Sequence, residues 1–293
     1  MGKIVGAALV SHHPGLFQTE EFRVKMGNGR DSDLIPGYVR LRARIDAVRP
    51  DVLMIFDTHW FTTGFHLIDG GARYSGTYLS DEMPWYLYGQ KYDYEGAPDL
   101  ARLVEQVGTE RNVMSKAVEE PSLARHYATI NVVNALRKNE KIVTVSNCQN
   151  CQSKHFLESG AVIAEAIERS PYNVVLLASG ALSHKFNEID WVQKNPRIYH
   201  EENVSRPENI ESDKQVIELF RQGRHDLIVD NFAQYRAIPW EGLGGHYLQM
   251  IGALGGRVAR ARGTPLSDYE NARGTGNIHV WFDVAQQHQK ETA

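Results

Sequence analysis

The chain has 293 residues, of which 42% are hydrophobic, 10% aromatic and 23% charged, a globular composition that excludes disorder and fibrous structure. Thirty-two Lys and Arg against 36 Asp and Glu give a formal charge of -4. That charge exerts no pull on a phosphate backbone, so nucleic acid is not an expected partner. Only Cys148 and Cys151 could form a disulfide, which is no framework for a secreted protein and points to a reducing cytoplasm. No apolar run approaches the ~20 residues of a membrane span.

In chain order, the apolar run 4–10 predicts a first buried strand, too short for a signal peptide, and ends in Ser11-His12-His13-Pro14. Residues 38–48 place Val39, Ala43 and Ala47 at i, i+4 spacing and predict a helix. Pro50-Asp51 breaks the chain before a second strand over 52–56, which runs into Phe56-Asp57-Thr58-His59-Trp60. The stretch 61–96 is rich in Gly, Tyr and Trp without helical period, which predicts irregular structure or short hairpins near a site. A strand over 141–146, a helix over 156–167 and a third histidine-bearing strand over 174–178 follow. That third strand enters Ser179-Gly180-Ala181-Leu182-Ser183-His184. The polar segment 185–211 reads as an exposed excursion, and a last strand over 278–282 follows the Gly274-Thr275-Gly276 turn. Strands alternate with helices, so the expected fold is α/β: one domain over 1–293, a central mixed sheet flanked by helices, and a metal site at the strand ends.

Three strand ends each presenting histidine are hard to explain as separate polar loops. Neutral imidazole is the commonest ligand for middle-period metals. Alternation of side chains along the chain lets only one of His12 and His13 face the site. His59 offers a second imidazole, with Asp57 placed either to orient a histidine or to cap the turn. His184 is a third ligand or a general acid/base. Glu241, in Trp240-Glu241-Gly242-Leu243-Gly244-Gly245-His246, supplies a carboxylate, and His246 competes for that role. Two histidines and a carboxylate on one face are the pattern of non-haem Fe(II) oxygen chemistry, whereas zinc favours a tetrahedral site. Cys148-Gln149-Asn150-Cys151 before His155 lacks a second pair and reads as incidental thiols.

Together with Tyr92-Asp93-Tyr94-Glu95-Gly96, these segments make the chain resemble the class III extradiol ring-cleavage dioxygenases, the superfamily of the protocatechuate 4,5-dioxygenase catalytic subunit. Within it, the homoprotocatechuate (3,4-dihydroxyphenylacetate) 2,3-dioxygenase branch is the most similar. The resemblance implies His12, His59 and Glu241 as ligands of Fe(II), His184 as acid/base and His126 as a further active-site histidine. It also implies a small aromatic diol and O2 as reactants, and a homo-oligomer. Arg125, Lys185, Arg273 and His246 are the candidates around the substrate. A homoprotocatechuate-type acid is the first substrate choice and a dihydroxypyridine the second, because His126 departs from that branch. A zinc hydrolase using the same three ligands and a metal-free binding protein of the same fold are the readings from other classes.

Overall fold

The computed structural model describes residues 1–233 and 238–284. The chain opens with β1 (Lys3–Val10), α1 (Glu20–Met26) and α2 (Leu34–Val48), followed by β2 (Val52–Thr62) and β3 (His66–Asp69). A hairpin of β4 (Arg73–Leu79) and β5 (Tyr88–Glu95) leads to α3 (Pro98–Glu110), β6 (Ser115–Val118) and α4 (Tyr127–Leu136). Next come β7 (Lys141–Cys148), α5 (Ser153–Arg169), β8 (Asn173–Ser179), α6 (Pro207–Gln222), α7 (His225–Asp230) and α8 (Gly245–Ala253). The last strands are β9 (Arg262–Pro265), β10 (Glu270–Ala272), β11 (Thr275–Asn277) and β12 (Val280–Asp283).

Eight strands form the main sheet in the order β6-β3-β7-β2-β8-β1-β12-β9. The central strands β7, β2, β8 and β1 are mutually parallel, and β12 and β9 add an antiparallel edge. The parallel strands are continuous apolar runs because both faces are covered. Val52, Met54 and Phe56 of β2 face the core under α3, α5 and α8, while Leu53 and Ile55 face the core under α2 and α4. β8 splits the same way, with Val174, Leu176 and Ala178 on the first face and Val175 and Leu177 on the second. This is the expected α/β sheet flanked by helices.

The structure extends or corrects several sequence-based elements. Helix α2 begins four residues before the expected 38, and the stretch 61–96 contains β3, a strand of the main sheet, besides the β4–β5 hairpin. The excursion 185–211 is less detached than expected. Asn203 is fully buried and donates to the carbonyls of Asn195, Arg197 and Ile198 while accepting from the Lys194 and Asn195 amides, and α6 already begins at Pro207. Gly274, at φ 104°, makes the turn between β10 and β11.

Candidate active site

The parallel strands β2, β8 and β1 are neighbours, and all three end at the same edge of the sheet. Ligands collect beyond this edge in open α/β sheets, where loops diverge from a rigid platform. His12 lies two residues past β1, and His184 lies five past β8. His59 reaches the edge by another route, because β2 loses register with β7 between Phe56↔Val145 and Phe61↔Asn147. Residues 57–60 therefore face a single residue, 146, and the surplus chain bulges outward with His59 on it. Asp57 holds this bulge by accepting from the His59 amide (2.7 Å), the Trp60 amide (3.0 Å) and the Thr129 hydroxyl (2.5 Å). Of its two possible roles, Asp57 thus fills the turn-capping one.

Glu241 arrives on a tight turn, residues 241–244, directly before α8. Gly242 (φ 54°), Leu243 (φ 59°) and Gly244 (φ 71°) lie one after another in the left-handed region, which a branched or long side chain such as Leu243 enters only at a cost. A Cβ on Gly242 would run into the Asn147 amide, and that amide donates to the Gly242 carbonyl at 2.7 Å. The turn aims the Glu241 carboxylate inward. Its Oε2 accepts from the Ala181 amide at 2.6 Å, and its Oε1 lies 3.0 Å from the Thr58 hydroxyl, whose proton it shares with the Ser179 carbonyl at 3.1 Å.

Oε1 also lies 3.2 Å from His12 Nε2 and 2.9 Å from His59 Nε2. Hydrogen bonds behind the rings set their tautomers. The Ser179 hydroxyl spends its one proton on the Ala128 carbonyl at 2.8 Å, so at 2.9 Å from His12 Nδ1 it can only accept. His12 therefore carries its proton on Nδ1 and turns the Nε2 lone pair toward Glu241. His59 Nδ1 lies 2.9 Å from Glu82 Oε1, an obligate acceptor when ionised, and its Nε2 likewise faces Glu241. Ligand atoms of His12, His59 and Glu241 all lie within 4.8 Å of one another. Three electron-rich atoms so placed repel one another unless positive charge lies between them, so this donor set fits a bound cation.

The electrostatics show how strongly the two carboxylates draw positive charge to this point. Burial alone would lower the His59 pKa, but the hydrogen bonds its ring donates to Glu241 and Glu82 more than reverse this and raise it to about 10, so the ring takes up a proton on the side where a bound cation would replace it. Burial alone would raise the Glu241 carboxyl, yet the imidazoles of His12, His184 and His59 hold it well below the usual range. His184 Nε2 stands 3.8 Å from Glu241 Oε1, farther out than the other two imidazoles. Burial pushes its pKa below the ordinary 6.5, with Glu241 opposing, so the ring is neutral at neutral pH and can accept a proton. Its backbone is tied down, since the His184 amide donates to the Pro239 carbonyl at 2.7 Å. Under the preceding residue, Asp213 of α6 accepts from the Ser183 amide (3.0 Å), the Ser183 hydroxyl (2.6 Å) and the Tyr269 hydroxyl (2.6 Å).

The other sequence candidates fall in different places. His126 is the half-buried residue preceding α4, and its carbonyl accepts from the Thr129 and Ile130 amides. Its neighbour Tyr127 reaches the centre instead, with its hydroxyl 2.7 Å from His59 Nε2. Burial, reinforced by Glu241 and Glu82, keeps that phenol protonated. Sequence reasoning missed Tyr127, and its place at the start of α4 beside the named histidine was the available signal. His246 is buried on α8 against Gly180, where a Cβ would come within 2.9 Å of its Nε2. Burial lowers its pKa to about 4, and it is not part of the His12, His59 and Glu241 group.

Arg125 is already engaged in a buried ion pair with Asp69, with its guanidinium 4.1 Å from the centroid of the Tyr74 ring. That leaves it poorly placed to hold a substrate carboxylate. Lys185 follows His184 and is half-exposed, with its amine 3.9 Å from Glu188. Arg273 is exposed at φ 55° in the β10–β11 turn, and no ion pair holds it among the described residues. Its charge is near enough to oppose the burial-driven rise of the Tyr86 pKa. The Cys148 and Cys151 thiols are free, and His155 Nδ1 caps α5 by accepting from the Gln152 amide at 3.0 Å. No helix among the described residues is long and apolar enough to cross a membrane.

A crystal structure of an uncharacterized protein from Escherichia coli K12 has the same fold, with a TM-score of 0.60 over 94% of this chain and 99% of that one at 15% identity. A 3,4-dihydroxyphenylacetate 2,3-dioxygenase of Escherichia coli is 27% identical over 259 residues, 87% of this chain and 91% of that protein. A 2-aminophenol 1,6-dioxygenase beta subunit of Pseudomonas sp is 26% identical over 246 residues, 80% of this chain and 79% of its own. The family model for the catalytic LigB subunit of aromatic ring-opening dioxygenase matches residues 6–282, which include all three ligand candidates and His184. The chain therefore belongs to this family and is an extradiol-type aromatic ring-opening dioxygenase.

Proposed function

We propose that the chain opens the ring of an aromatic carrying two adjacent hydroxyls beside one of them, using Fe(II) held by His12, His59 and Glu241. The observation that carries this reading is the convergence of two imidazole nitrogens and one carboxylate oxygen on a single point at the sheet edge. Two histidines and a carboxylate on one face leave neighbouring positions open, the donor set of non-haem Fe(II) oxygenases. When bound, Fe(II) would bring the diol and O2 together and provide an electron path between them.

The chain's own groups manage position and protons. Neutral His184 Nε2 takes a proton from a substrate hydroxyl and returns it as the ring opens, the task of a general base that becomes a general acid. The Tyr127 phenol remains a donor and can steady the oxygen of the substrate or product. The Ala181 amide and Thr58 hydroxyl hold Glu241 while charge shifts across the centre.

Our first substrate choice is an acid of the 3,4-dihydroxyphenylacetate type. The similarity to a dioxygenase of that name and an exposed cation, Arg273, which forms no ion pair among the described residues and whose charge acts on Tyr86, support it. The test is kcat/KM for 3,4-dihydroxyphenylacetate, catechol, 2-aminophenol and 3,4-dihydroxypyridine in wild type and Arg273→Ala. A charge-assisted contact is worth about 1.5–3 kcal/mol, so Arg273→Ala should lower kcat/KM for the arylacetate by about 10- to 100-fold and leave catechol unchanged. Equal losses on both would remove Arg273 from that role. A wild-type preference for 2-aminophenol or the dihydroxypyridine would replace the substrate choice. We also infer self-association, which a sedimentation measurement tests.

A further inference from the structure

The two imidazoles of the proposed centre are braced differently. His12 is braced from inside the sheet by Ser179, a fully buried residue of β8. His59 is braced from outside, by Glu82 in the connection 80–87 between β4 and β5. Nδ1 and Nε2 lie on different edges of an imidazole, so Glu82 meets the edge turned away from Glu241 and does not compete for the centre.

The connection is a built structure. The Ser80 amide donates to the Leu87 carbonyl at 2.9 Å, the Met83 amide to the Ser80 hydroxyl at 3.0 Å, and the Tyr86 amide to the Met83 carbonyl at 2.9 Å. Its far end is fastened to the segment that follows His12. The Gln18 side chain donates to the Tyr86 carbonyl at 2.8 Å, and the rings of Phe22 and Tyr86 meet at 6.2 Å. One hairpin tip thus touches the chain behind both histidines, although it belongs to neither ligand-bearing strand end. The Glu82 side chain is 46% exposed, so its contact with His59 is not forced by core packing.

We propose that Glu82 is a positioning residue. Its carboxylate fixes His59 in the Nδ1–H form, keeps the Nε2 lone pair facing the centre and raises the basicity of that nitrogen, so that the β4–β5 connection governs how tightly the metal is held. This rests on the reading of His12, His59 and Glu241 as a metal centre. A hydrogen-bond partner behind a metal-bound histidine is worth about 10- to 100-fold in metal affinity.

The experiment is an anaerobic Fe(II) titration against a chromogenic chelator, without substrate, on wild type, Glu82→Gln and Glu82→Ala, with thermal melting of each. Glu82→Ala should weaken Fe(II) binding by about 10- to 100-fold. Glu82→Gln should fall between the two, because an amide oxygen still accepts from Nδ1–H but brings no charge. Unchanged affinity in both variants, beside a wild type that binds Fe(II), would overturn the role of Glu82 alone. A wild type that fails to bind Fe(II) would overturn the metal-centre reading beneath it. If Glu82→Ala melts early, the isosteric Glu82→Gln carries the comparison, and wild-type affinity there would overturn the charge contribution.

Discussion

At the residue scale, the division of labour among the imidazoles follows from what stands behind each ring. His12 and His59 have acceptors at Nδ1 and turn Nε2 toward Glu241, whereas His184 Nε2 stands 3.8 Å from that carboxylate in the outermost position. His184→Phe should therefore lower kcat by about 100- to 10,000-fold, the usual contribution of a general acid/base, while Fe(II) content stays at the wild-type level. Iron lost from that variant, measured by metal analysis after desalting, would make His184 a ligand instead. The histidines were legible in the sequence because each follows an apolar run that could only be a buried strand. Tyr127 and Glu82 were not, because they come from a helix start and a hairpin tip whose approach to the centre is decided by tertiary packing.

Three elements shape the site. The bulge in β2 explains why a strand expected to end at 56 runs to Thr62 and still delivers His59 to the sheet edge; apolar periodicity gives no sign of such surplus residues. The left-handed turn at 242–244 delivers Glu241, and its glycines were legible as close packing though not as consecutive positive φ angles. Gly242→Ala should cost about 1–3 kcal/mol of stability through strain at φ 54° and, by displacing the Asn147 contact, weaken Fe(II) binding. Urea denaturation with metal titration checks both, and wild-type values in each would show that the turn is not strained as described.

Helix α6 contributes Asp213, whose burial raises its pKa from 3.8 to about 7 against the hydrogen bonds of Ser183 and Tyr269. Between those values the unfolded chain has lost this proton and the folded chain keeps it, so the group makes stability fall as pH rises from about 4 to 7 and adds no further slope above. Asp213→Asn should remove that decline, seen as a difference between the two unfolding free energies across this range. Parallel pH profiles would contradict the assignment.

Across the whole molecule, four parallel strands buried on both faces make a platform that cannot flex without breaking two cores, and the reactive groups stand on its edge. That is why the α/β architecture was legible from alternating apolar runs. The excursion over 185–211 reads as exposed because its buried anchors, Tyr199, Asn203, Val204 and Asn209, are scattered among polar neighbours, a pattern indistinguishable in sequence from a solvated loop. Arg273 and Tyr86, which we propose as substrate-facing groups, come from distant parts of the chain, and the charge of the first acts on the second.

The proposed function stands on an iron that His12, His59 and Glu241 would hold and that couples O2 to ring opening. Its most direct measurement is anaerobic reconstitution with Fe(II), followed by O2 uptake and ultraviolet absorbance on mixing with 3,4-dihydroxyphenylacetate. One iron should bind per chain and one O2 be consumed per ring lost, with neither in Glu241→Ala. Bound iron without O2 uptake on this or any other dihydroxylated ring, or turnover that persists in Glu241→Ala, would contradict it.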